Sequence, residues 1–374
     1  MKRILIVATT SYAGMGPYVA SIVNNFTIDD DVHYFFLDYE DDYYRKNVKI
    51  ELHEKSLFFK YPNSPLNKLK WLLTNDYPYD GAILRLCQEK HIRLVHYING
   101  FPSKKMAKKF SALGIEVLGT VHDLKMHEQN KSFYKMWFRN ISWKRLLNSF
   151  DACPYLVTNS RSQYEEIKTK HPRKEISYHS FPSLVTSEIA SGNDVPVELM
   201  NLDKPYILFF GRIEEYKGLN LLVDAFLSCE TINSEYYLVI AGSGELKSKS
   251  VLSSRIVMLN RYIKDSEIAC LYKNASAVVY PYISATQSGV LTLAFFFGTP
   301  VLASDVPFFK DSIENDDVGL LFRSGNVEDL VVKLKIILKK NRNTMSVAQK
   351  ELYYKNYDGN AIREKLLEIY SHEN

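Results

Sequence analysis

Residues 205–226 read PYILFFGRIEEYKGLNLLVDAF and bring together the residue types that hold an anion. An apolar run, 206–210, ends at Gly211. Arg212 follows, then Lys217 and Gly218, then the amphipathic pattern Leu219, Leu222, Val223, Phe226. A glycine lets backbone approach a ligand closely, and a helix N-terminus already favours negative charge. With two cations added, this chemistry suits a phosphate or diphosphate at the carboxyl edge of a parallel sheet. An ordinary strand-to-helix turn with surface cations produces the same pattern, so the segment alone leaves that reading open. Three more stretches have the same grammar. Gly14 and Gly16 follow the apolar run 4–8. Gly242 and Gly244 follow the run 237–241. Gln287, Ser288, Gly289 and Val290 precede or open a helical pattern, so their N–H groups could cradle a diphosphate. His122 ends a further apolar run, where a side chain points into a ligand crevice; a lone histidine is more often structural.

These segments need strands and helices to position them. Short apolar runs alternate with helical patterns throughout, as in parallel α/β domains. The predicted strands are 4–8, 33–37, 94–97, 117–121 and 155–158 in the first half. In the second half they are 206–210, 237–241, 256–259, 277–280 and 300–303. Residues 186–204 are rich in Ser, Asn, Asp and Pro without periodicity and read as a linker. The expected organisation is an N-terminal domain over 1–185, the linker, and a C-terminal domain over 205–357. An amphipathic helix in 358–374 would return to the first domain. Two doubly wound domains facing across a cleft are the expected architecture, an α/β fold with ligands at the strands' carboxyl ends.

In order and spacing these motifs resemble the large retaining group 1 sugar transferases, glycosyltransferase family 4, which have the GT-B fold. The resemblance covers nearly the whole chain and is strongest over 205–323. It implies a hexosyltransferase-type enzyme moving a sugar from a nucleotide-diphosphate donor to an acceptor hydroxyl. Arg212 and Lys217 would stabilise the departing diphosphate. Gly14, Gly16, Gly211, Gly242 and Gly244 would line the donor, with Tyr262 and Ile263 in the segment that holds the base. Thr286, Gln287, Ser288, Gly289 and Val290 would form the anion loop. His122, in a match to the family's T-x-H-D segment with Asp123 beside it, would stand next to the donor sugar. The resemblance also implies retention, no metal and no other cofactor. The acceptor would be a saccharide or lipid-linked saccharide on the N-terminal domain, and the commonest role is bacterial surface-polysaccharide assembly. One departure stands out. The family usually carries two glutamates eight positions apart, and these positions are Thr286 and Ala294 here. Stabilising a leaving diphosphate requires neither. A sugar-nucleotide epimerase of the same fold is an alternative, against which the absence of acidic residues over 268–304 counts. An inactive binding subunit is another, against which the retained Arg212, Lys217 and His122 count.

Composition sets the remaining bounds. A length of 374 residues suits two domains, and 46% hydrophobic with 24% charged residues is ordinary for a soluble globular chain. No apolar run approaches the ~18 residues of a membrane span. The start of the chain reads as a first strand rather than a leader, and four scattered cysteines suggest a reducing compartment without a zinc site. Asp29-Asp30-Asp31 formally contains a D-x-D metal signal but reads as a solvated turn. The 26 tyrosines follow from genomic base bias as readily as from sugar binding. Charge is uneven: residues 1–190 carry 27 basic and 20 acidic side chains, the remainder 20 and 23. This suggests an anionic partner on the first half, while a net +4 is too small to argue for nucleic acid. Aromatic and basic residues interleave over 133–145, with Lys104, Lys105, Lys108 and Lys109 nearby. They raise the expectation of a cytoplasmic protein docking on an anionic membrane surface; a core helix with solvated cations is the plainer reading.

Overall fold

The computed structural model describes residues 2–12, 14–39, 41–61, 77–122, 148–245, 253–285 and 287–371. Two compact units divide the chain, Met1–Ser180 with Gly359–Asn374, and Phe181–Asp358.

In the first unit seven strands form one parallel sheet in the order β3-β2-β1-β4-β5-β6-β7. They are β1 (Ile4–Ala8), β2 (Val32–Asp38), β3 (Ser56–Lys60), β4 (Leu94–Tyr97), β5 (Glu116–Val121), β6 (Tyr155–Thr158) and β7 (Glu175–Tyr178). In the second unit six strands pair in parallel in the order β10-β9-β8-β11-β12-β13. These are β8 (Tyr206–Phe210), β9 (Tyr237–Ala241), β10 (Ile256–Leu259), β11 (Ala275–Tyr280), β12 (Val301–Ser304) and β13 (Leu320–Phe322).

Burial on both faces explains the continuous apolar runs. In β8, Ile207 and Phe209 enter one core with Leu222, Val223 and Phe226 of the helix Leu219–Ser228. Tyr206 and Leu208 enter the opposite core with Leu271, Tyr272 and Phe295. Helix starts are fixed by side-chain caps, Ser103 to the N–H of Met106 and Asn326 to that of Asp329.

Three strands, β3, β7 and β13, were not legible in the sequence. All lie at sheet edges; β3 and β7 are only partly buried, and β13 has three residues. The expected linker is also different. Residues 186–204 fold onto the second unit: Ile189, on the helix Ser187–Ser191, is buried in its core, with Leu199 and Leu202 packed alongside. A Glu198–Arg261 ion pair of 3.0 Å ties this segment to the turn after β10. The second unit thus begins at Phe181 rather than at 205. The final helix, Gly359–Ser371, belongs to the first unit. Its Tyr370 hydroxyl lies 2.8 Å from Nδ1 of His96, and its Arg363 pairs with Asp30. Asp31 pairs with Arg3 at 2.9 Å, so two of the three successive aspartates serve internal ion pairs.

Candidate functional site

In an open parallel sheet, a crevice forms at the carboxyl ends where the strand order reverses. In the second unit that point lies between β8 and β11, and in the first between β1 and β4.

In the second unit, Gly211 leaves β8 with φ 131°, and a Cβ there would lie 2.7 Å from Nζ of Lys217. Gly242, leaving β9 with φ 146°, would set a Cβ 2.0 Å from the carbonyl oxygen of Gly211. Only glycine permits these two turns to stack. The N–H groups of Gly211 and Ile213 donate to Ala241 and Ser243 at 2.9 and 2.8 Å, extending the ladder into the loops. Lys217, on the short turn Glu215–Lys217, is only 8% exposed. Among the described residues its ammonium makes no ion pair or hydrogen bond. It lies 5.3 Å from the ring centroid of Tyr282. Burial, with help from Arg212, pulls its pKa down to about 8, and Glu214 opposes this. A buried charge without a partner is costly and calls for a counter-ion. Arg212 differs: its side chain is 66% exposed and pairs with Glu214 at 3.2 Å.

The β11–α segment completes this edge. Ser288 is buried, and Gly289 precedes the helix Val290–Phe297 without a side-chain cap; the N–H groups of Leu291 and Thr292 donate to the Ser288 and Gly289 carbonyls at 3.3 and 3.1 Å, so an anion would meet the backbone ahead of them. A Cβ on Gly289 would meet Leu184 at 2.4 Å, so packing also requires this glycine. Gln287 and Val290 are half-buried, and Thr286 lies outside the described residues. Ala294 is fully buried in the core, so its methyl serves packing. Gly244 packs against Ile213. Past β10, the Tyr262 side chain is 78% exposed, whereas Ile263 is buried in the core, so its side chain cannot line a ligand.

In the first unit, Gly14 caps the helix Met15–Val23, and a Cβ there would meet nothing within 4 Å. Gly16 instead accommodates the Tyr43 ring, which a Cβ would meet at 2.6 Å. The loop after β1 is held by Asn99, which accepts from the N–H of Thr9 at 2.7 Å and donates to the carbonyl of Thr10 at 2.6 Å. His122 follows β5, with Nε2 2.9 Å from the carbonyl oxygen of Ile98. A carbonyl only accepts, so Nε2 carries a proton. The Tyr18 ring meets the imidazole at 4.8 Å, edge to face, and Gln163 donates to the His122 carbonyl at 3.0 Å. Asp123 and 133–145 lie outside the described residues. Two further histidines are buried nearby in the electrostatic sense. Burial above all, and the neighbouring imidazoles, push His96 down to about 3; burial pushes His179 down to about 4. Neither Asn99 nor Tyr282 was singled out from the sequence, although an aromatic inside the otherwise small-residue 281–289 loop was a readable signal.

Residues 192–353 match the family model of the glycosyl transferases group 1. A phosphatidyl-myo-inositol mannosyltransferase from Mycobacterium leprae is 27% identical over 171 residues, 44% of this chain and 46% of that protein. The match thus spans about half the length of that relative. The Anabaena HepE crystal structure, in complex with UDP and glucose, superposes with TM-score 0.68 and 14% identity, covering 100% of both chains. The lipopolysaccharide outer core galactosyltransferase WaaB superposes with TM-score 0.65 and 15% identity, covering 98% of this chain and 99% of that one. The fold is GT-B, with two parallel α/β domains, and the matched segment is of group 1 glycosyltransferase type.

Proposed function

We propose that this chain is a glycosyltransferase that moves a sugar from a nucleotide-diphosphate donor to an acceptor hydroxyl with retention. The observation that carries this reading is Lys217, a buried ammonium with no partner among the described residues, beside stacked glycine turns at the strand-order reversal. A diphosphate supplies the missing counter-ion. Charge-assisted hydrogen bonds to it are worth roughly 1.5–3 kcal/mol each. In the transfer, the bond from the anomeric carbon to the diphosphate oxygen breaks as the acceptor oxygen bonds to that carbon on the same face. The acceptor proton passes to the departing diphosphate, whose charge Lys217 and the Val290–Phe297 helix start stabilise. Arg212 joins them on release from Glu214, and His122 is the residue we read as acting on the sugar. The neighbours that bind UDP and UDP-glucose support a nucleotide-sugar donor. The lipopolysaccharide enzymes among the similar structures support a role in bacterial surface-polysaccharide assembly.

The reading is metal-independent transfer, so activity in excess EDTA is the expected result. No described helix is long and apolar enough to cross a membrane. Lys104, Lys105, Lys108 and Lys109 are exposed on the helix Lys104–Ala112, which buries Met106, Ala107 and Phe110. That cationic face suits peripheral docking on an anionic bilayer carrying a lipid-linked acceptor; binding to anionic liposomes should fall sharply with salt. The deciding experiment is incubation with a panel of nucleotide sugars, following nucleoside-diphosphate release with and without saccharide acceptors, and reading the product's anomeric configuration by NMR. Nucleotide binding without transfer to any acceptor would favour an inactive binding subunit.

A further inference from the structure

We infer that Tyr282 is a positioning residue: its ring holds the Lys217 ammonium at the Gly211 turn and joins the loops after β8 and β11 into one anion site. The inference rests on the diphosphate reading for its function and on geometry for its substance. Tyr282 is 2% exposed and stands two residues past β11. Its carbonyl is pinned by the hydroxyls of Ser304 and Ser324, at 2.6 and 3.2 Å. Its ring packs edge-on against Tyr280, Phe309 and Tyr216, at 6.1, 5.3 and 6.0 Å between centroids. A side chain locked this way has one rotamer, and the ammonium of Lys217 lies 5.3 Å from its centroid. That is within the range of a cation–π attraction, which strengthens when desolvated.

The two loops are stitched elsewhere too. Ile283 N–H donates to the Tyr216 carbonyl at 2.7 Å, and Gly218, at φ 64°, leaves no room for a Cβ against the Pro281 carbonyl oxygen, 2.0 Å away. The phenol oxygen is buried without a hydrogen-bond partner among the described residues. It nevertheless feels the Ser288 hydroxyl, which lowers its pKa against the larger raising effect of burial. Tyr282 therefore reaches from the cation on one loop toward the start of the Val290–Phe297 helix on the other. The charged and titratable groups acting on Lys217 are Glu214, which favours the ammonium, and Arg212, which opposes it. Beside those opposed charges, the aromatic face adds an attraction that favours the protonated amine.

The test uses the full-length protein with Tyr282, Tyr282→Phe, or 3,4,5-trifluorophenylalanine at position 282. The fluorinated ring keeps shape and burial but loses its negative face, so folding is preserved while the attraction is not. Two quantities are read. One is the Lys217 titration midpoint, by NMR of carbon-13-labelled lysine assigned with Lys217→Arg. The other is the affinity for UDP and inorganic pyrophosphate by calorimetry. Lys217 should titrate near 8 in the natural protein. It should hold that value in Tyr282→Phe and fall by about one pH unit with the fluorinated ring, with diphosphate affinity at pH 8 about fivefold weaker. An unchanged midpoint with the fluorinated ring overturns the inference and makes Tyr282 a space-filling core residue. Failure of the natural protein to bind either probe sinks the donor reading instead, while the titration still decides whether the ring holds the ammonium.

Discussion

Lys217 is a residue whose burial costs stability and, in the proposed reading, serves donor binding. Its pKa is lowered from 10.5 to about 8. At 1.36 kcal/mol per unit, the folded protein bears about 3 kcal/mol for keeping it charged at pH 7. The sign follows from proton counting: between pH 8 and 10.5 the unfolded chain binds the extra proton, so this penalty fades as pH rises through that window. Lys217→Met should therefore match or exceed the natural protein in thermal stability at pH 7 while losing at least tenfold in UDP affinity. A variant that unfolds early and binds normally would refute this account. His122 makes a different prediction. Its Nε2 is committed to the Ile98 carbonyl and its own carbonyl to Gln163, so the ring's remaining nitrogen is held in one place. His122→Ala should lower kcat by more than it raises the Kd for nucleotide, measured by steady-state kinetics beside calorimetry.

At the scale of elements, the glycine turns are built by mutual exclusion. Gly242 cannot take a side chain because the Gly211 carbonyl already occupies the space. Gly242→Ala should destabilise the second unit by more than ~1 kcal/mol, since both the positive φ and the clash must be relieved. Its diphosphate affinity should fall as well, because the displaced Gly211 turn carries Lys217 with it. Urea unfolding and UDP titration of the same variant check both parts. The helix Gly359–Ser371 is a second case. It supplies partners to His96 and Asp30, both buried in the first unit. Truncation after Asp358 should strip these groups of their hydrogen bonds and lower the stability of the first unit by several kcal/mol. Hydrogen exchange should show the loss in β1, β2 and β4 and not in β8–β13.

For the molecule as a whole, the buried imidazoles set an acid limit. His96 and His179 are neutral in the folded state, with pKa values near 3 and 4, and take up protons near 6.5 when unfolded. The unfolded chain thus binds more protons between those limits, so stability is complete above about pH 6.5 and is lost as pH falls toward 4. Urea titrations should give a lower unfolding free energy at pH 5 than at pH 7, with the difference reduced in His96→Phe. An equal difference in that variant would place the acid sensitivity elsewhere.

What the sequence determined by itself was everything governed by local pattern. Ten of the strands were readable because both faces of a parallel sheet are buried, which writes continuous apolar runs such as YILFF and YLVIA. The glycine and cation positions were readable because positive φ and close backbone approach restrict residue type at Gly211, Gly242 and Gly244. Tertiary structure decided the rest. Edge strands β3, β7 and β13 bury too little to carry a pattern. Residues 186–204 look like a linker because their few anchors, Ile189 and Leu199 among them, gain meaning only from the core they meet. Arg212 and Lys217 look alike in sequence, yet one is exposed and paired while the other is buried and unpaired among the described residues. Among the residues that meet Lys217 is Tyr282, more than sixty positions away along the chain. Chain neighbours can write a turn; only packing across the sheet edge can strip water from a charge and leave it waiting for an anion.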